Sequence, residues 1–420
     1  MGLDGRTIVV GMTGGIAAYK ACELVRLLVQ EGATVQVVMT GNAQQFVTPL
    51  TLQTLSGRPV ATDTFSLTQE SEIGHIRLAD QAEAIVVAPA TANLLAKMAT
   101  GLADDLLSTI LLATQAPVVV APAMNVHMWE HPATRANLAT LRARGVRIVG
   151  PGSGSLACGY EGAGRLVDPP EIVEAIQTAL APQDLVGERI VVSAGPTHEA
   201  LDPVRYLSNH SSGKMGYALA RVAHRRGAEV TLVTGPTALV PPPGVTTVQV
   251  TTARAMARAM RDAFARATIV VMAAAVADHR PAVALDRKMK KGAIGINLAL
   301  QQNPDIVRGL GARKGRRLLV GFAAETHDLA GEARRKLRAK RLDLIVANDV
   351  TTPGAGFGAD RNTVLLLDAG GHEESLPLLP KEEIAERILD WVAARRILRQ
   401  RPGSGRATRR RSSPRSAHDA

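Results

Sequence analysis

The distribution of apolar residues along the chain predicts the same kind of structural unit twice. Residues 6–40 and 189–234 each open with a continuous run of β-branched residues, as expected for a strand that is buried on both faces. In both segments the run leads through glycines into a helix rich in Ala, Leu and Val, and then through Gly-Ala into a further apolar strand. The repetition predicts two open α/β folds in one chain, and with them two ligand sites.

Further apolar runs alternate with helical stretches in both halves of the chain. The predicted strands cover residues 83–90, 116–124 and 146–150 in the first half, and 246–250, 267–275, 317–325, 342–349 and 362–368 in the second. This alternation predicts two doubly wound α/β domains of Rossmann or flavodoxin type with mostly parallel sheets, covering residues 1–186 and 187–395. Ligands of such sheets bind beyond the carboxyl ends of the strands.

Composition and charge restrict the possible functions. Of the 420 residues, 46% are hydrophobic but only 3% are aromatic, so the cores must be built from aliphatic side chains. The net charge of +11 is concentrated near the C-terminus, because nine Arg and one Asp lie between residues 395 and 420. Residues 396–420, rich in Pro, Gly, Ser and Arg, are predicted to form a disordered basic tail. The tail lacks interleaved aromatic residues, so no specific nucleic-acid partner is expected.

The sequence also indicates a location for the protein. No apolar run is long enough to cross a bilayer, and the N-terminus lacks the charged-then-apolar order of a signal peptide. The two cysteines, Cys22 and Cys158, provide neither a disulfide framework nor a zinc-ligand spacing. His127 and His131 are four residues apart, yet no glutamate completes an HExxH arrangement and no third ligand is evident. A cytoplasmic protein with no membrane partner and no side-chain metal site is therefore predicted.

The first glycine turn, GMTGGIAAYK, directly follows the opening strand. Gly14 and Gly15 would allow backbone N–H groups and the N-terminus of the next helix to face an anion such as a phosphate. Thr40, at the end of the following strand, would add a hydroxyl group. The spacing GxxGG differs from the GxGxxG of NAD-binding folds, so the glycines alone favour a packing turn as much as a phosphate site.

Four segments of the first half carry a specific resemblance. In chain order they are GHIRLAD (residues 74–80), PATANLLAKMATGLADDLL (89–107), PAMNVHMW (122–129) and GSLACGYEGAGRL (154–166). Together they resemble the flavin-containing cysteine decarboxylases, in particular the phosphopantothenoylcysteine decarboxylases. The chemistry of that family accounts for the flavin: oxidation of the thiol-bearing carbon gives a thioaldehyde, which accepts the electrons left behind by departing CO2.

The resemblance implies roles for individual residues. Asn125 would bind the substrate carboxylate, and His75 would serve in the oxidative decarboxylation. Cys158, in a glycine-rich flap that closes over substrate, would donate the proton that gives the thiol product. The residues implied to hold flavin mononucleotide (FMN) are Gly14, Gly15, Thr40, Thr91 and Asn93.

The second half contains a sequence that superficially suggests a P-loop, Ser212-Gly213-Lys214. A Walker sequence needs glycine at position 208 and Ser or Thr after the lysine, but this chain has Ser208 and Met215. It is therefore not a P-loop ATPase. Lys336 and Lys340 lie four residues apart on a predicted helix, so they share a face. With the KMKK cluster at 288–291 they could neutralise a triphosphate.

The ordered segments of this half are similar to the phosphopantothenate–cysteine ligases of the bacterial, CTP-dependent type. That resemblance implies activation of the phosphopantothenate carboxylate as an acyl-cytidylate, followed by displacement of CMP by the amine of cysteine. It implies that Asn209 contacts the acyl-cytidylate, that Lys288 assists the second half-reaction, and that Mg²⁺ accompanies the triphosphate. The implied CTP contacts are Asp278, Lys288, Asn303, Pro304, Asp305, Ile306, Phe322, Lys336 and Lys340.

The second resemblance has departures. The family's GGT(R)E and SN(R)SSG loops contain Pro196, His198 and His210 in this chain. The two histidines remove positive charge near a phosphate-binding region, which concerns the affinity for phosphopantothenate more than the reaction type.

Taken together, the two resemblances imply a bifunctional enzyme of coenzyme A biosynthesis in which the second domain makes the substrate of the first. They also imply a homo-oligomer, with trimerising decarboxylase domains that place the flavin at a subunit interface and dimerising ligase domains. Two alternatives are another flavin enzyme of the same fold and a non-catalytic regulatory protein. The presence of His75, Asn125 and Cys158 argues against the regulatory protein.

Overall fold

The computed structural model describes residues 2–64, 74–155, 159–289, 297–325, 327–349, 354, 356 and 358–400. The chain forms two compact units. They are Met1–Val186 with His224–Ala228, and Gly187–Ala223 with Glu229–Ala420.

The first unit is built on a parallel sheet with helices on both faces. Its strands are β1 (Thr7–Met12), β2 (Thr34–Met39), β3 (Ala84–Ala90), β4 (Val118–Pro122), β5 (Arg147–Ile148), β6 (Gly152–Ser155) and β7 (Glu161–Arg165). The first five form one sheet in the order β2-β1-β3-β4-β5, and β6 and β7 form a separate antiparallel hairpin. This is the flavodoxin-type strand order, in which the direction of winding switches between β1 and β3.

The helices before residue 187 bury both faces of that sheet. They are α1 (Ala18–Gln30), α2 (Pro49–Ser56), α3 (Gly74–Gln81), α4 (Ala92–Thr100), α5 (Leu106–Ala113), α6 (Val126–Glu130), α7 (Pro132–Ala143) and α8 (Pro169–Leu180), with a 3-10 turn at Ala43–Gln45. Ile8 and Val10 pack towards α1 and α8, whereas Val9 packs towards α4, α5 and α7. Alternate residues of β1 thus enter two different cores, which is why the strand is apolar throughout.

The apolar stretch after residue 91 forms two helices. Gly101, with a φ of 78°, ends α4. Asp105 then caps α5, because its carboxylate accepts a hydrogen bond from the backbone N–H of Ser108 at 2.8 Å. The local signals for a helix end and a helix start therefore lie within one apolar run.

The second unit contains a larger sheet and two small hairpins. Its strands are β8 (Arg189–Ala194), β9 (Glu199–Ala200), β10 (Tyr206–Leu207), β11 (Glu229–Thr234), β12 (Thr246–Gln249), β13 (Ile269–Met272), β14 (His279–Pro281), β15 (Leu300–Gln302), β16 (Leu318–Glu325), β17 (Leu344–Asp349), β18 (Arg361–Asp368) and β19 (Glu373–Pro380). The main sheet has eight strands in the order β12-β11-β8-β13-β16-β17-β18-β19. The first six strands of that order are parallel and follow Rossmann topology.

The helices after residue 187 are α9 (Lys214–Arg225), α10 (Ala253–Phe264), α11 (Ile306–Gly311), α12 (Leu329–Ala339) and α13 (Lys381–Gln400). Helix α13 continues beyond residue 395, where the sequence predicts the basic tail to begin. Residues 401–420 lie outside the described part of the chain. None of the described helices combines the length and apolar character required to cross a membrane.

The last two strands, β18 and β19, run antiparallel. Only a short turn connects them, and a short turn can join antiparallel but not parallel neighbours. The carboxylate of Asp368 organises this turn by accepting hydrogen bonds from the backbone N–H groups of Gly370 at 2.7 Å and His372 at 3.0 Å. The prediction of two mostly parallel, doubly wound α/β sheets is confirmed, and the antiparallel edge is an addition to it.

Candidate active sites

A pocket of about 480 Å³ lies in the first unit at the carboxyl ends of β1, β3 and β4. This is the point where the winding direction switches, the usual ligand position in such sheets. The pocket is lined by Gly14, Gly15, Ile16, Ala17, Tyr19, Lys20, Thr91, Ala123, Met124, Asn125, Met128, Ser155, Gly164, Arg165 and Leu166. A glycine turn thus forms one wall, and the PAMN segment and the β6–β7 hairpin form the opposite side.

The glycine turn is fixed by close approach to another loop. A Cβ atom on Gly14 would lie 2.4 Å from the Cβ of Asn42 and 2.8 Å from its backbone carbon. No side chain fits at this position, so Gly14 is required for packing at the pocket wall. The pocket therefore depends on a glycine that the sequence identified for a different reason, its capacity to expose N–H groups.

Thr13 locks the ends of β1 and β3 together. Its buried hydroxyl donates to the carbonyl oxygen of Pro89 at 2.6 Å and accepts from the backbone N–H of Thr91 at 3.1 Å. Sequence reasoning missed this residue. A polar side chain immediately after a fully apolar strand is the signal that could have identified it.

Asn125 is held by the start of helix α6. Its Oδ1 accepts a hydrogen bond from the backbone N–H of His127 at 2.8 Å, which fixes the amide at the pocket wall. His127 itself contacts the ring of Tyr160 edge-on, with centroids 5.2 Å apart. His131 caps α7 by accepting from the N–H of Ala133. Among the residues that the structure describes, no group of three or more His, Cys, Asp or Glu could hold a metal ion.

The β6–β7 hairpin packs tightly against the PAMN segment. The backbone N–H of Met124 donates to the carbonyl oxygen of Gly164 at 2.9 Å. A Cβ atom on Gly164 would lie 2.2 Å from the carbonyl oxygen of Met124, so the contact requires glycine. Residues 156–158 at the tip are outside the described residues, and the predicted proton donor Cys158 is one of them.

The remaining predicted residues of the first unit lie elsewhere. His75 is in the first turn of α3, and neither it nor Asn93 is among the described residues that line the pocket. The hydroxyl of Thr40 accepts from the N–H of Ala43 at 3.3 Å and supports the turn there. The described structure therefore brings Gly14, Gly15, Thr91 and Asn125 to one pocket, but not His75, Thr40 or Asn93.

Two cationic side chains that the sequence motifs do not indicate, Lys20 and Arg165, line the same pocket. Lys20 extends from α1, and its Nζ lies 3.0 Å from a carboxylate oxygen of Asp168. This hydrogen bond holds the pKa of the Asp168 carboxyl below its ordinary value. Arg165 is the last residue of β7. The pocket therefore has apolar walls with positive charge at its margin.

In the second unit, the switch point lies between β8 and β13. The fully buried Thr197 bridges the two strand ends, because its hydroxyl accepts from the N–H of Ala277 at 3.0 Å. Asn209 reaches the same place and donates from Nδ2 to the carbonyl oxygen of Ala275 at 3.0 Å. The loop that carries Asn209 therefore lies over the carboxyl ends of the central strands.

Several of the predicted CTP contacts lie beside this point. The backbone N–H of Asn303 donates to the carbonyl oxygen of Asp278 at 2.8 Å, and its Nδ2 donates to Ala277 at 2.9 Å. Asp305 caps α11 and also forms an ion pair with Lys340 at 3.1 Å. Asp278, the loop 303–306 and Lys340 are thus linked in one network, in which Pro304 follows Asn303 directly and Ile306 is buried in the core.

Lys336 is also paired with a carboxylate. Its Nζ lies 2.5 Å from an oxygen of Glu325, the last residue of β16, the strand that carries Phe322. Lys336 is in the last turn of α12 and Lys340 is its C-cap residue. Both predicted triphosphate contacts are therefore next to acidic partners, Lys336 at the end of β16 and Lys340 at the start of α11.

Lys288 is exposed, and the adjacent residue Met289 is anchored. The backbone N–H of Met289 donates to Asp202 at 3.2 Å, and its carbonyl oxygen accepts from Arg205 at 3.1 Å. Sequence reasoning singled out neither Asp202 nor Arg205. Of the departures from the ligase pattern, His198 stacks on Tyr206 with ring centroids 3.8 Å apart.

Comparison with known proteins gives the class first. Residues 2–181 match the family model described as Flavoprotein, and residues 185–395 match the model described as DNA/pantothenate metabolism flavoprotein C-terminal domain. The protein thus consists of a flavoprotein domain followed by a pantothenate-metabolism domain.

The relatives that match both units give the particular family. The coenzyme A biosynthesis bifunctional protein CoaBC of Bacillus subtilis (strain 168) is 48% identical over 396 residues, which are 93% of this chain and 98% of that protein. The protein of the same name from Escherichia coli (strain K12) is 48% identical over 400 residues, 94% of this chain and 98% of that protein. The chain belongs to the CoaBC family.

Among solved structures, the C-terminal domain of a coenzyme A biosynthesis bifunctional protein CoaBC is 42% identical. The matched region includes 51% of this chain and 98% of the solved domain, with a TM-score of 0.45. The relatives that extend across both units confirm the resemblance of both halves at the level of the family. They favour neither a regulatory protein nor a different flavin enzyme.

Proposed function

We propose that the second unit joins phosphopantothenate to cysteine at the expense of CTP, and that the first unit decarboxylates the product to phosphopantetheine with bound FMN. One observation carries the proposal: in each unit, residues implied by the motifs lie at the switch point of that unit's sheet. Membership of the CoaBC family supports the same pair of reactions.

The first pocket fits a flavin mononucleotide. Its volume of about 480 Å³ falls within the roughly 300–1,000 Å³ that is common for cofactor sites. Ile16, Met124, Met128 and Leu166 offer apolar contacts to a flat ring system. The glycine turn before α1 offers backbone N–H groups to a phosphate.

The residues of the first unit then have definite tasks. The Oδ1 of Asn125 accepts from His127, which orients the amide so that its Nδ2 is the group that would donate to the substrate carboxylate. FMN, when bound, supplies the oxidation of the thiol-bearing carbon and the return of the same two electrons. Cys158 would supply the proton for that return. His75 would reach the pocket from a neighbouring subunit of the trimer that the family resemblance implies.

In the second unit, Lys336 and Lys340 would exchange their carboxylate partners for the triphosphate of CTP with its Mg²⁺. Each lysine thereby exchanges one anionic partner for another and stays paired in both states. Asn209 would contact the acyl-cytidylate at the switch point. Lys288 would act when the amine of cysteine displaces CMP.

A coupled assay on the full chain tests the proposal. The protein receives phosphopantothenate, cysteine, Mg²⁺ and either CTP or ATP, and pyrophosphate, CO2 and phosphopantetheine are followed separately. We expect CTP-dependent pyrophosphate release with CO2 in equal amount. Pyrophosphate without CO2 from an FMN-loaded preparation would remove the decarboxylase from the proposal. Absence of both products would refute it entirely and leave a regulatory protein.

A further inference from the structure

Asp202 lies in the turn between β9 and β10 with its side chain fully buried. One carboxylate oxygen accepts from the backbone N–H groups of Val204 and Arg205, each at 2.8 Å. The other accepts from the Nε of Arg205 at 2.9 Å and also from its Nη2. The buried charge of Asp202 is therefore compensated within its own turn, as a buried carboxylate requires.

This ion pair also binds a distant segment of the chain. The backbone N–H of Met289 donates to Asp202 Oδ2 at 3.2 Å, and the Nη2 of Arg205 donates to the carbonyl oxygen of Met289 at 3.1 Å. A second contact joins the same two segments, since the N–H of Leu285 donates to the carbonyl oxygen of Leu201 at 2.9 Å. The backbone on both sides of Lys288 is thus fixed to the 201–205 turn.

The same turn leads through β10 to Asn209. Asn209 is itself fixed to the switch point by its hydrogen bond to Ala275. Asn209, proposed to contact the acyl-cytidylate, and Lys288, proposed to assist its aminolysis, are therefore both held in place by the β9–β10 hairpin. A backbone fixed in this way reduces the freedom that Lys288 must lose when it engages the reacting group.

We propose that Asp202 is a positioning residue for the amide-forming half-reaction, in which its carboxylate, together with Arg205, fixes the backbone of Met289 and so directs Lys288 towards the acyl-cytidylate. The inference rests on the proposed ligase function. In the step concerned, the nitrogen of cysteine bonds to the acyl carbon, the bond from that carbon to the CMP oxygen breaks, and one amine proton passes to solvent. Lys288 stabilises the negative charge that departs with CMP.

The charge state of Asp202 is consistent with positioning and not with proton transfer. The guanidinium of Arg205 holds the pKa of the Asp202 carboxyl far below its usual range, against the opposing effect of burial. The other facing donors are the backbone N–H groups of Val204, Arg205 and Met289. The carboxylate is therefore ionised throughout the neutral range in which an assay would be run.

The variant Asp202→Asn tests this role because it keeps the shape of the side chain and replaces an acceptor oxygen by a donor. We expect pyrophosphate release without cysteine to change less than twofold, amide formation to fall by about tenfold or more, and acyl-cytidylate to accumulate. Lys288→Gln should likewise slow amide formation and let acyl-cytidylate accumulate, and because Lys288 is also an implied CTP contact it should raise KM for CTP as well. The double variant should be no slower than Lys288→Gln alone, because residues that act through each other are not additive.

Asp286→Asn is the matched control, since it removes one negative charge from the same exposed segment and leaves the Met289 contacts in place. It should leave both half-reactions unchanged. If Asp202→Asn fails to fold, Arg205→Lys replaces it: the lysine keeps the positive charge, loses the planar fork that contacts Asp202 and Met289 together, and should show the same selective loss.

Equal loss of both half-reactions, or additive effects in the double variant, would overturn the inference. These outcomes differ from failure of the proposed function, in which the unaltered protein would release no CTP-dependent pyrophosphate.

Discussion

Each unit begins with a parallel strand that leads to a helix, directly in the first unit and through the β9–β10 hairpin in the second. The first unit shapes its ligand site by steric contact. At Gly14 the neighbouring Asn42 excludes any side chain, and at Gly164 the carbonyl oxygen of Met124 does the same. These contacts bind rigid backbone to rigid backbone. The shape of the cavity wall is therefore set by contacts within the protein itself.

The second unit instead assembles its site from charges that are already paired. Lys336 is bound to Glu325, and Lys340 is bound to Asp305, which also caps a helix. The site is therefore organised by interactions that a highly charged ligand can replace one for one.

The contrast teaches how one starting topology serves two kinds of ligand. A preformed cavity with apolar walls suits a cofactor that stays bound through many turnovers. Partly exposed, paired lysines suit a nucleotide that must enter and leave at each turnover, because their charge has an anionic partner with and without the ligand. Single substitutions in either unit should disturb ligand binding in that unit alone.

The largest effect is expected for Gly14→Ala in the first unit. The added Cβ would meet Asn42 at 2.4 Å and its backbone at 2.8 Å, and backbone cannot yield cheaply. Overpacking of this kind costs about 3 kcal/mol. If the turn moves away to relieve it, FMN binding must restore the turn and should weaken by roughly 100-fold. The purified protein should lose its yellow colour and its CO2 release, measured by absorbance and by coupled assay, whereas CTP-dependent pyrophosphate release should persist.

Gly41→Ala is the control for that prediction. Gly41 lies next to Asn42, but a Cβ atom there would meet nothing within 4 Å. This variant should bind FMN as the unaltered protein does. Normal flavin content in Gly14→Ala would show that the first site is not defined by this contact.

A smaller effect is expected for Lys336→Met in the second unit. Loss of a charge-assisted hydrogen bond to phosphate removes about 1.5 kcal/mol, so KM for CTP should rise by roughly tenfold while flavin content is unchanged. Initial rates of pyrophosphate release over a range of CTP concentrations measure the effect.

Lys314→Met provides the matched comparison for Lys336. Lys314 forms the same kind of ion pair, with Asp343 at 2.9 Å, but it lies near the amino end of β16. KM for CTP should not change there. An equal rise of KM in both variants would mean that the net charge of the unit, and not the position of Lys336, governs CTP binding.

The fold could be predicted from the sequence wherever strands are buried on both faces. Such strands, β1 and β8 among them, contain unbroken runs of Val and Ile, and a short run of this kind between turn residues is typical of a buried strand. The β6–β7 hairpin could not be predicted in this way, because Gly152–Ser155 contains only glycine and serine. Its structure depends instead on contact between Gly164 and Met124.

The sites could be predicted only as far as motifs carry them. Gly14, Thr91 and Asn125 come from short segments that already contain the relevant residues, and the structure places them at one pocket. Thr13 and Asp202 act through partners more than seventy residues away in the sequence. No local pattern indicates such pairings, so they become visible only once the sheet has brought the loops together.

Lys381 provides a contrast within the second unit. Lys336 and Lys340 pair with carboxylates, whereas the hydrogen-bond partners of Lys381 are neutral carbonyl groups. Its buried ammonium donates to the carbonyl oxygens of Gly356, at 3.1 Å, and Ala359. Burial, with a smaller contribution from the charge of Lys214, lowers the pKa of Lys381 to about 8, whereas nearby Asp360 acts in the opposite direction. Burial without a carboxylate in direct contact therefore weakens protonation.

The pH dependence of stability follows from that pKa. The unfolded lysine titrates near 10.5, so between about pH 8 and pH 10.5 the unfolded chain binds the proton that the folded chain has released. The free energy of unfolding therefore gains from Lys381 as pH rises through this window, by about 3 kcal/mol at most. Below pH 8 both states are protonated, and the contribution is constant.

Comparison with Lys381→Met isolates this contribution from the other groups that titrate in alkali. The thermal midpoint of the unaltered protein, relative to that of the variant, should rise by a few degrees between pH 8 and pH 10. Lys314→Met is the control, because the ammonium of Lys314 has a carboxylate partner, Asp343, at 2.9 Å and does not contribute to the pKa shift of Lys381. Its difference from the unaltered protein should not grow in the same direction. A constant difference for Lys381→Met would show that a lysine bound only by carbonyl groups remains as basic as one bound by a carboxylate, and the distinction between paired and merely buried charge in this unit would have to be abandoned.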